Sequence, residues 1–102
     1  MTQKKQEPLV AIVMGSDSDL PIMTETAKTL AMLDVPYEIE ITSAHRSPKR
    51  TAEYARTASA RGLRVVVAGA GGAFHLAGVI AAETTLPVIA VPIGSSPLAG
   101  WD

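Results

Sequence analysis

Short apolar runs alternate with longer stretches of helical periodicity along the chain, and that alternation predicts βαβ units stacked around a parallel sheet. Leu9 to Met14 is six apolar residues in a row, closed by Gly15, and reads as a strand covered on both faces. From about Asp19 to Leu33 the positions Leu20, Met23, Ala27, Leu30 and Ala31 share one helical face, with Glu25 and Lys28 away from it. Pro21 falls in the first turn of that helix, where its missing N–H costs nothing.

Tyr37, Ile39 and Ile41 alternate with Glu38 and Glu40, so the second strand is expected at a sheet edge or with one wetted face. Ser47-Pro48 then reads as an N-cap followed by proline at the first helical position. The helix is expected to run to Ala60 or Arg61 on a stripe of Ala52, Ala55 and Ala58, with Gly62 ending it. Leu63 to Ala68 reads as a third strand, and Gly69 to Gly72 as a loop. A third helix opens with Leu76, Val79 and Ile80, and Pro87 to Val91 reads as a fourth strand. Right-handed crossovers with an edge-like second strand predict the spatial order 2-1-3-4, an α/β sheet of flavodoxin-like type. The fourth strand offers Val88, Ile89, Ala90 and Val91 to both faces, which predicts a neighbour beside it. No such neighbour follows in a chain that reaches Trp101-Asp102 through a Gly/Ser/Pro stretch, so either a fragment lacking its fifth strand or an edge covered by a partner subunit is expected, the fragment being favoured.

Length and composition narrow the picture further. At 102 residues the chain amounts to one domain, and folding at this size buries roughly 65% of the unfolded surface. We expect a disordered leader over Met1 to Pro8 and a single domain over 9–102. An apolar fraction of 47% with 19% charged residues is that of a globular protein, not a disordered one. A net charge of −1 leaves no basic excess to hold a nucleic-acid backbone, and a single Trp, two Tyr and one Phe give little to stack bases on. The absence of cysteine removes disulfides, thiolate catalysis and thiolate metal sites, which fits a reduced cytoplasm. No apolar run reaches the roughly 18 to 20 residues of a membrane span.

In an open parallel sheet, ligands bind outside the carboxyl ends of the strands near the point where strand order reverses. Three loops leave such ends: Gly15 to Asp19, Ser43 to Pro48, and Gly69 to His75; both histidines of the chain lie in them. In the first, Gly15 admits a close backbone approach, Ser16 and Ser18 offer hydroxyls to a phosphate or carboxylate, and Asp19 suits sugar hydroxyls. The alternatives are plain helix capping by Ser18 or Asp19, or magnesium held by Asp17 and Asp19. In the second, Arg46 supplies a planar fork of donors, Ser43 and Ser47 bracket the loop, with Ser47 read as a cap, and His45 can give or take a proton near neutrality. A solvated loop histidine is the alternative there. The third loop fails as a dinucleotide fingerprint, because Gly69 and Gly71 are followed by Phe74 where a third glycine belongs. It also lacks a G-x-x-x-x-G-K-[ST] sequence and a phospho-accepting aspartate at the strand end. It retains backbone amides able to cradle an anion, with His75 beside them as cap, packing residue or chemical group.

Val10-Ala11-Ile12-Val13-Met14-Gly15-Ser16-Asp17-Ser18-Asp19, Ser43-Ala44-His45-Arg46-Ser47-Pro48 and Ala68-Gly69-Ala70-Gly71-Gly72-Ala73 with His75-Leu76 together resemble the class I 5-(carboxyamino)imidazole ribonucleotide mutases. The resemblance extends over the chain from Leu9 onward. It implies an isomerase of purine biosynthesis that moves a carboxylate from an exocyclic nitrogen to a ring carbon of an aminoimidazole ribonucleotide, with no metal, biotin, nucleotide or ATP as cofactor. It implies His45 as general acid/base, Ser16, Asp19 and Arg46 as substrate contacts, and Ser18, Ser43, Gly71 and His75 as pocket wall. Asp19 is then expected at the ribose and Arg46 toward the phosphate. It also implies a cytoplasmic homo-octamer with sites near subunit boundaries and no nucleic-acid or membrane partner. The chain departs from the resemblance at Ala77, where proline is usual and a looser loop is expected, and in its length, since members continue for roughly another half. Two other functions remain open: a carboxylase using free carbon dioxide, against which Arg46 counts, and a flavodoxin-like module that binds a nucleotide without catalysis.

Overall fold

A computed structural model describes residues 7–43, 46–71 and 75–93. Most of the expected leader, His45, residues 72–74 and the stretch 94–102 lie outside the described residues. The elements are β1 (Val10–Met14), a single 3-10 turn (Asp17–Asp19), α1 (Leu20–Met32), β2 (Tyr37–Ile41), α2 (Pro48–Ala58), β3 (Val65–Ala70), α3 (His75–Glu83) and β4 (Val88–Pro92). The four strands form one parallel sheet in the order β2-β1-β3-β4, the order the sequence predicts.

The all-apolar run of β1 has its physical cause in this order. As an inner strand covered on both faces it buries all five of its residues. Because successive side chains point to opposite faces, Val10, Ile12 and Met14 join Met23, Ala27, Val67 and Ile93 in a core beneath α1. Ala11 and Val13 join Ala55, Ala58, Leu63, Val66, Ala68, Leu76, Ala77 and Ile80 in a second core beneath α2 and α3. Small residues at Ala52, Ala55 and Ala58, all buried, are what let α2 lie close to the sheet.

Several local expectations are corrected. On α1 only Met23 and Ala27 are buried, with Leu30 half-buried, while Leu20, Ile22 and Ala31 are exposed; Met23 and Ala27 are the positions the helix turns into the core with β1 and β3. The outer strand β2 is an edge as expected, yet its polarity is reversed. Tyr37, Ile39 and Ile41 stand on the sparsely covered α1 face and are exposed, whereas Glu38 and Glu40 are half-buried against α2. Arg61 pairs with Glu38 through both terminal nitrogens at 3.2 and 3.0 Å, Tyr54 donates its hydroxyl to the same carboxylate, and Arg50 lies 2.6 Å from Glu40. The guanidinium of Arg61 also sits 5.0 Å from the centroid of the Tyr54 ring. Partial burial alone would raise the Glu38 carboxyl, but the hydrogen bonds from Arg61 and Tyr54, with the charge of Arg61, hold it below the ordinary carboxylate value.

The helix α2 ends at Ala58, short of the expected Ala60 or Arg61. The chain then turns through Gly62 at φ +96°, and the Leu63 N–H reaches back to the Ala58 carbonyl at 3.1 Å. β3 begins later than expected and takes in Gly69 and Ala70, because Gly69 pairs with Val91 and Ala70 with Pro92 of β4. Ala77 lies in the first turn of α3 and is buried, so the departure from proline falls inside a helix and not in a loop. β4 is the outer strand of the described sheet, with Ile89 53% exposed.

Candidate functional site

The strand order places the three loops that carry the chemistry at the carboxyl end of the sheet. Met14 pairs with Ile41 on one side and Gly69 on the other, so the chain leaves β1, β2 and β3 at nearly the same level. With neighbouring strands about 4.8 Å apart, the second and third loops flank the first at roughly 10 Å from one another. Because β1 continues to β2 on one side and β3 lies on the other, this is also the point where strand order reverses.

The first loop is held by Ser16. Its backbone is extended at φ −153°, its side chain accepts from the Ser18 N–H at 3.2 Å, and its carbonyl accepts from the Asp19 N–H at 3.0 Å. The Ser16 and Ser18 hydroxyls lie 2.9 Å apart and are exposed. The cap of this turn is thus Ser16, and neither Ser18 nor Asp19 acts as the helix cap: Asp19 occupies the N-cap position of α1 with no side-chain cap bond. Asp19 is instead a buried carboxylate at 9% exposure, the one described acidic residue in that class. Burial pushes its carboxyl up, and a backbone hydrogen bond at Ser16 offsets this in part. A carboxylate kept partly dry at a strand end is suited to accepting hydrogen bonds from ligand hydroxyls. Among the described residues no three His, Cys, Asp or Glu groups converge as a metal site around Asp17 and Asp19 or elsewhere.

The second loop is tied at both ends. The Ser47 N–H donates to the Ser43 carbonyl at 2.8 Å, and the Arg46 N–H donates to the Ser43 hydroxyl at 3.2 Å. Arg46 is exposed, and a guanidinium offers a planar fork of donors suited to an anion. Ser47 stands at the N-cap position of α2, but its side chain makes no cap bond, which corrects the expectation that it caps. His45 lies outside the described residues, between these two anchors.

In the third loop, Gly71 follows directly on β3 and is half-buried, and His75 opens α3 with an exposed side chain. A residue the motif reading passed over supports this end of the strand. Met23 of α1 lies fully buried against Gly69, so close that a side chain on Gly69 would collide with its thioether. A second feature also went unread: Thr42 and Thr51, both buried, join their hydroxyls at 2.8 Å between the end of β2 and the first turns of α2. The signal for it was available, since Thr51 sits four residues before Ala55 and seven before Ala58, a polar residue on an apolar stripe.

The chain and its fold are similar to those of known proteins. The family model described as AIR carboxylase matches residues 9–102. Among curated relatives, the N5-carboxyaminoimidazole ribonucleotide mutase of Pyrococcus horikoshii is 58% identical over 102 residues, all of this chain and 58% of that protein. The mutase of the same name from Mycobacterium tuberculosis H37Rv is 51% identical over 102 residues, 100% of this chain and 59% of that one. The phosphoribosylaminoimidazole carboxylase of Candida albicans is 56% identical over 98 residues, 96% of this chain but 17% of that protein. Among solved structures, Treponema denticola PurE superposes with a TM-score of 0.81 at 30% identity, over 91% of this chain and 60% of that chain. The chain therefore spans somewhat more than half the length of the mutases it matches.

Proposed function

The chain belongs to the AIR carboxylase family, and from that premise we propose that the protein isomerises 5-(carboxyamino)imidazole ribonucleotide to 4-carboxy-5-aminoimidazole ribonucleotide in purine biosynthesis. The observation that carries the reading is the side-by-side placement of the three motif loops on β1, β2 and β3. Relatives named for the mutase match the whole of this chain and more than half of their own length. The relative named for the carboxylase is one of which this chain spans 17%. Arg46 in place of the lysine expected of a carboxylase using free carbon dioxide favours the mutase as well.

In this mechanism His45, as imidazolium, gives a proton to the exocyclic nitrogen while the bond from nitrogen to the carboxylate carbon breaks and carbon dioxide leaves. The ring carbon then attacks the carbon dioxide, forming the new carbon–carbon bond, and its displaced proton returns to the neutral imidazole. One proton is lent and one recovered, so no cofactor is needed. Speed depends on holding carbon dioxide beside the ring carbon and keeping water out. Asp19 accepts from the ribose hydroxyls, Arg46 pairs with the phosphate, Ser16 touches substrate, and Ser18, Ser43, Gly71 and His75 line the pocket. Arg46, on an exposed turn, keeps its charge at the phosphate end, away from the departing carbon dioxide.

The same reading carries a homo-octamer in the cytoplasm. No helix among the described residues is long and apolar enough to cross a membrane, and Ile22, Met32 and Leu33 project apolar groups outward from and just after α1, available to a neighbouring subunit. Light scattering on the complete protein reads the subunit number, and a monomer at micromolar concentration contradicts it.

The function is tested with His45→Asn. Loss of general acid–base catalysis is expected to lower turnover by about 10² to 10⁴-fold while calorimetric substrate binding stays within a few-fold of the unaltered protein. Turnover retained by the variant removes His45 from its role. An unaltered protein that binds the ribonucleotide without converting it marks a binding module instead.

A further inference from the structure

Four threonines of the helices turn their hydroxyls back onto the carbonyl four residues earlier: Thr24 to Leu20, Thr29 to Glu25, Thr57 to Glu53 and Thr51 to Ser47. Such bonds are ordinary in exposed helix positions and carry little meaning there. Thr51 differs from the other three in two respects. It is fully buried, and its oxygen also meets the Thr42 hydroxyl, on another element, at 2.8 Å.

The direction of that second bond follows from a count of hydrogens. A hydroxyl has one hydrogen to donate, and the hydrogen of Thr51 is committed to the Ser47 carbonyl at 3.0 Å. The hydrogen between the two oxygens therefore comes from Thr42. Thr42 is in turn fixed by its own N–H, which donates to the Met14 carbonyl at the end of β1 at 2.8 Å. A relay thus runs from the end of β1 through Thr42 and Thr51 to the Ser47 carbonyl, and from the Ser47 N–H to the Ser43 carbonyl at 2.8 Å. Its two ends close on the five-residue loop 43–47, the loop that bears His45.

We propose that Thr51 is a positioning residue for the proton-transferring loop: its hydroxyl, taken between Thr42 and Ser47, fixes the distance between the end of β2 and the start of α2, the two ends of the loop whose sequence carries His45. This rests on the assignment of His45 made above. The hydrogen bonds of Thr42, Thr51 and Ser47 set the separation of the loop's two ends, and a reacting group must be placed to within a fraction of an ångström. With valine at position 51 the shape of the side chain is kept, the Ser47 carbonyl keeps only the Thr51 N–H, and the Thr42 hydroxyl is left buried without an acceptor. To find one, Thr42 or the loop must shift.

The test measures kcat, KM and thermal midpoint in the complete protein for Thr51→Val and Thr51→Ser, with His45→Asn in parallel. The proposal expects Thr51→Val to lose about tenfold in kcat well below its melting temperature, with KM within threefold, and Thr51→Ser, which keeps the hydroxyl, to recover most of the loss. A Thr51→Val protein that melts earlier but turns over within twofold of the unaltered one has lost stability alone, and that result overturns the proposal. Should Thr51→Val fail to fold, Thr42→Val removes the donor from the other side and leaves the bond from Thr51 to Ser47 intact; the same fall in kcat is expected, and an unchanged kcat overturns the proposal. Full turnover by His45→Asn would instead mark the functional assignment as the failed premise.

Discussion

Replacing Gly69 by alanine adds one methyl group at the most crowded point of the sheet's carboxyl end. Built on the present backbone, the new Cβ stands 2.8 Å from the Met23 Cε, 3.2 Å from its Cγ and closer still to its sulfur. Ordinary carbon contacts lie at about 3.5 to 4.0 Å, so the thioether must retreat by roughly an ångström. A methionine at a surface would simply swing away, but Met23 is 0% exposed and shares its core with Ile12, Met14 and Ala27. The displacement therefore passes into neighbours or backbone, and overpacking of this kind costs about 1 to 3 kcal/mol. In a domain of this size that lowers the melting temperature by about 4 to 8 °C for each kcal/mol. A double-mutant cycle with Met23→Ala isolates the cause. Met23→Ala alone costs about 2 to 5 kcal/mol through the cavity it leaves. In that background the added methyl enters open space, and Gly69→Ala should cost less than about 0.5 kcal/mol, measured by urea unfolding of all four proteins. Equal costs in the two backgrounds, within about 0.5 kcal/mol, would show that the collision with Met23 is not what the glycine avoids.

Two further predictions concern charge. The lowered Glu38 carboxyl contributes stability that is present above the ordinary value of 4.5 and is lost as pH falls through its lower folded value. Tyr54→Phe removes one of its hydrogen bonds, costs about 1 kcal/mol at neutral pH, and should flatten the acid limb of a plot of urea midpoint against pH; an unaltered limb counts against the pairing. Asp19 has the opposite sign. Its carboxyl is raised by burial, so its favourable contribution is complete below the ordinary value of 3.8 and disappears as pH rises through the folded value. Asp19→Asn should therefore be more stable than the unaltered protein at pH 7, with the gap closing toward about pH 3, while binding the ribonucleotide more weakly. A variant less stable at pH 7, or one that binds as well, contradicts the placing of a buried ionised group at the ribose.

Much of the architecture was legible because it follows from local pattern. The six-residue run ending at Met14, the alanine stripe of α2 and the glycines after β1, α2 and β3 (Gly15, Gly62 and Gly71) report burial and chain reversal directly, and handedness then leaves few strand orders. What was not legible depends on partners distant in the sequence. The alternation of β2 shows which residues share a face but not which face is better covered, and only the reach of Tyr54, Arg50 and Arg61 from α2 and the turn after it makes the glutamate side the more buried. Gly69 and Ala70 look like loop by composition, and pairing with Val91 and Pro92 makes them strand. Of the chemistry, the three loops could be read from their residues, and their adjacency followed once the strand order was known. Met23 beneath Gly69 could not be read, because a methionine on an apolar helix face carries no mark of what it touches.

The central claim is that one imidazole moves a carboxylate between two atoms of the same substrate molecule. The most direct measurement supplies the complete protein with 5-(carboxyamino)imidazole ribonucleotide labelled with carbon-13 in its carboxylate, in unlabelled bicarbonate buffer, and follows the label by NMR. Retention of most of the label in the 4-carboxy product, with no ATP or metal added, is the predicted result. A product that carries unlabelled carboxylate drawn from the buffer would show that carbon dioxide escapes before recapture, and would contradict the account.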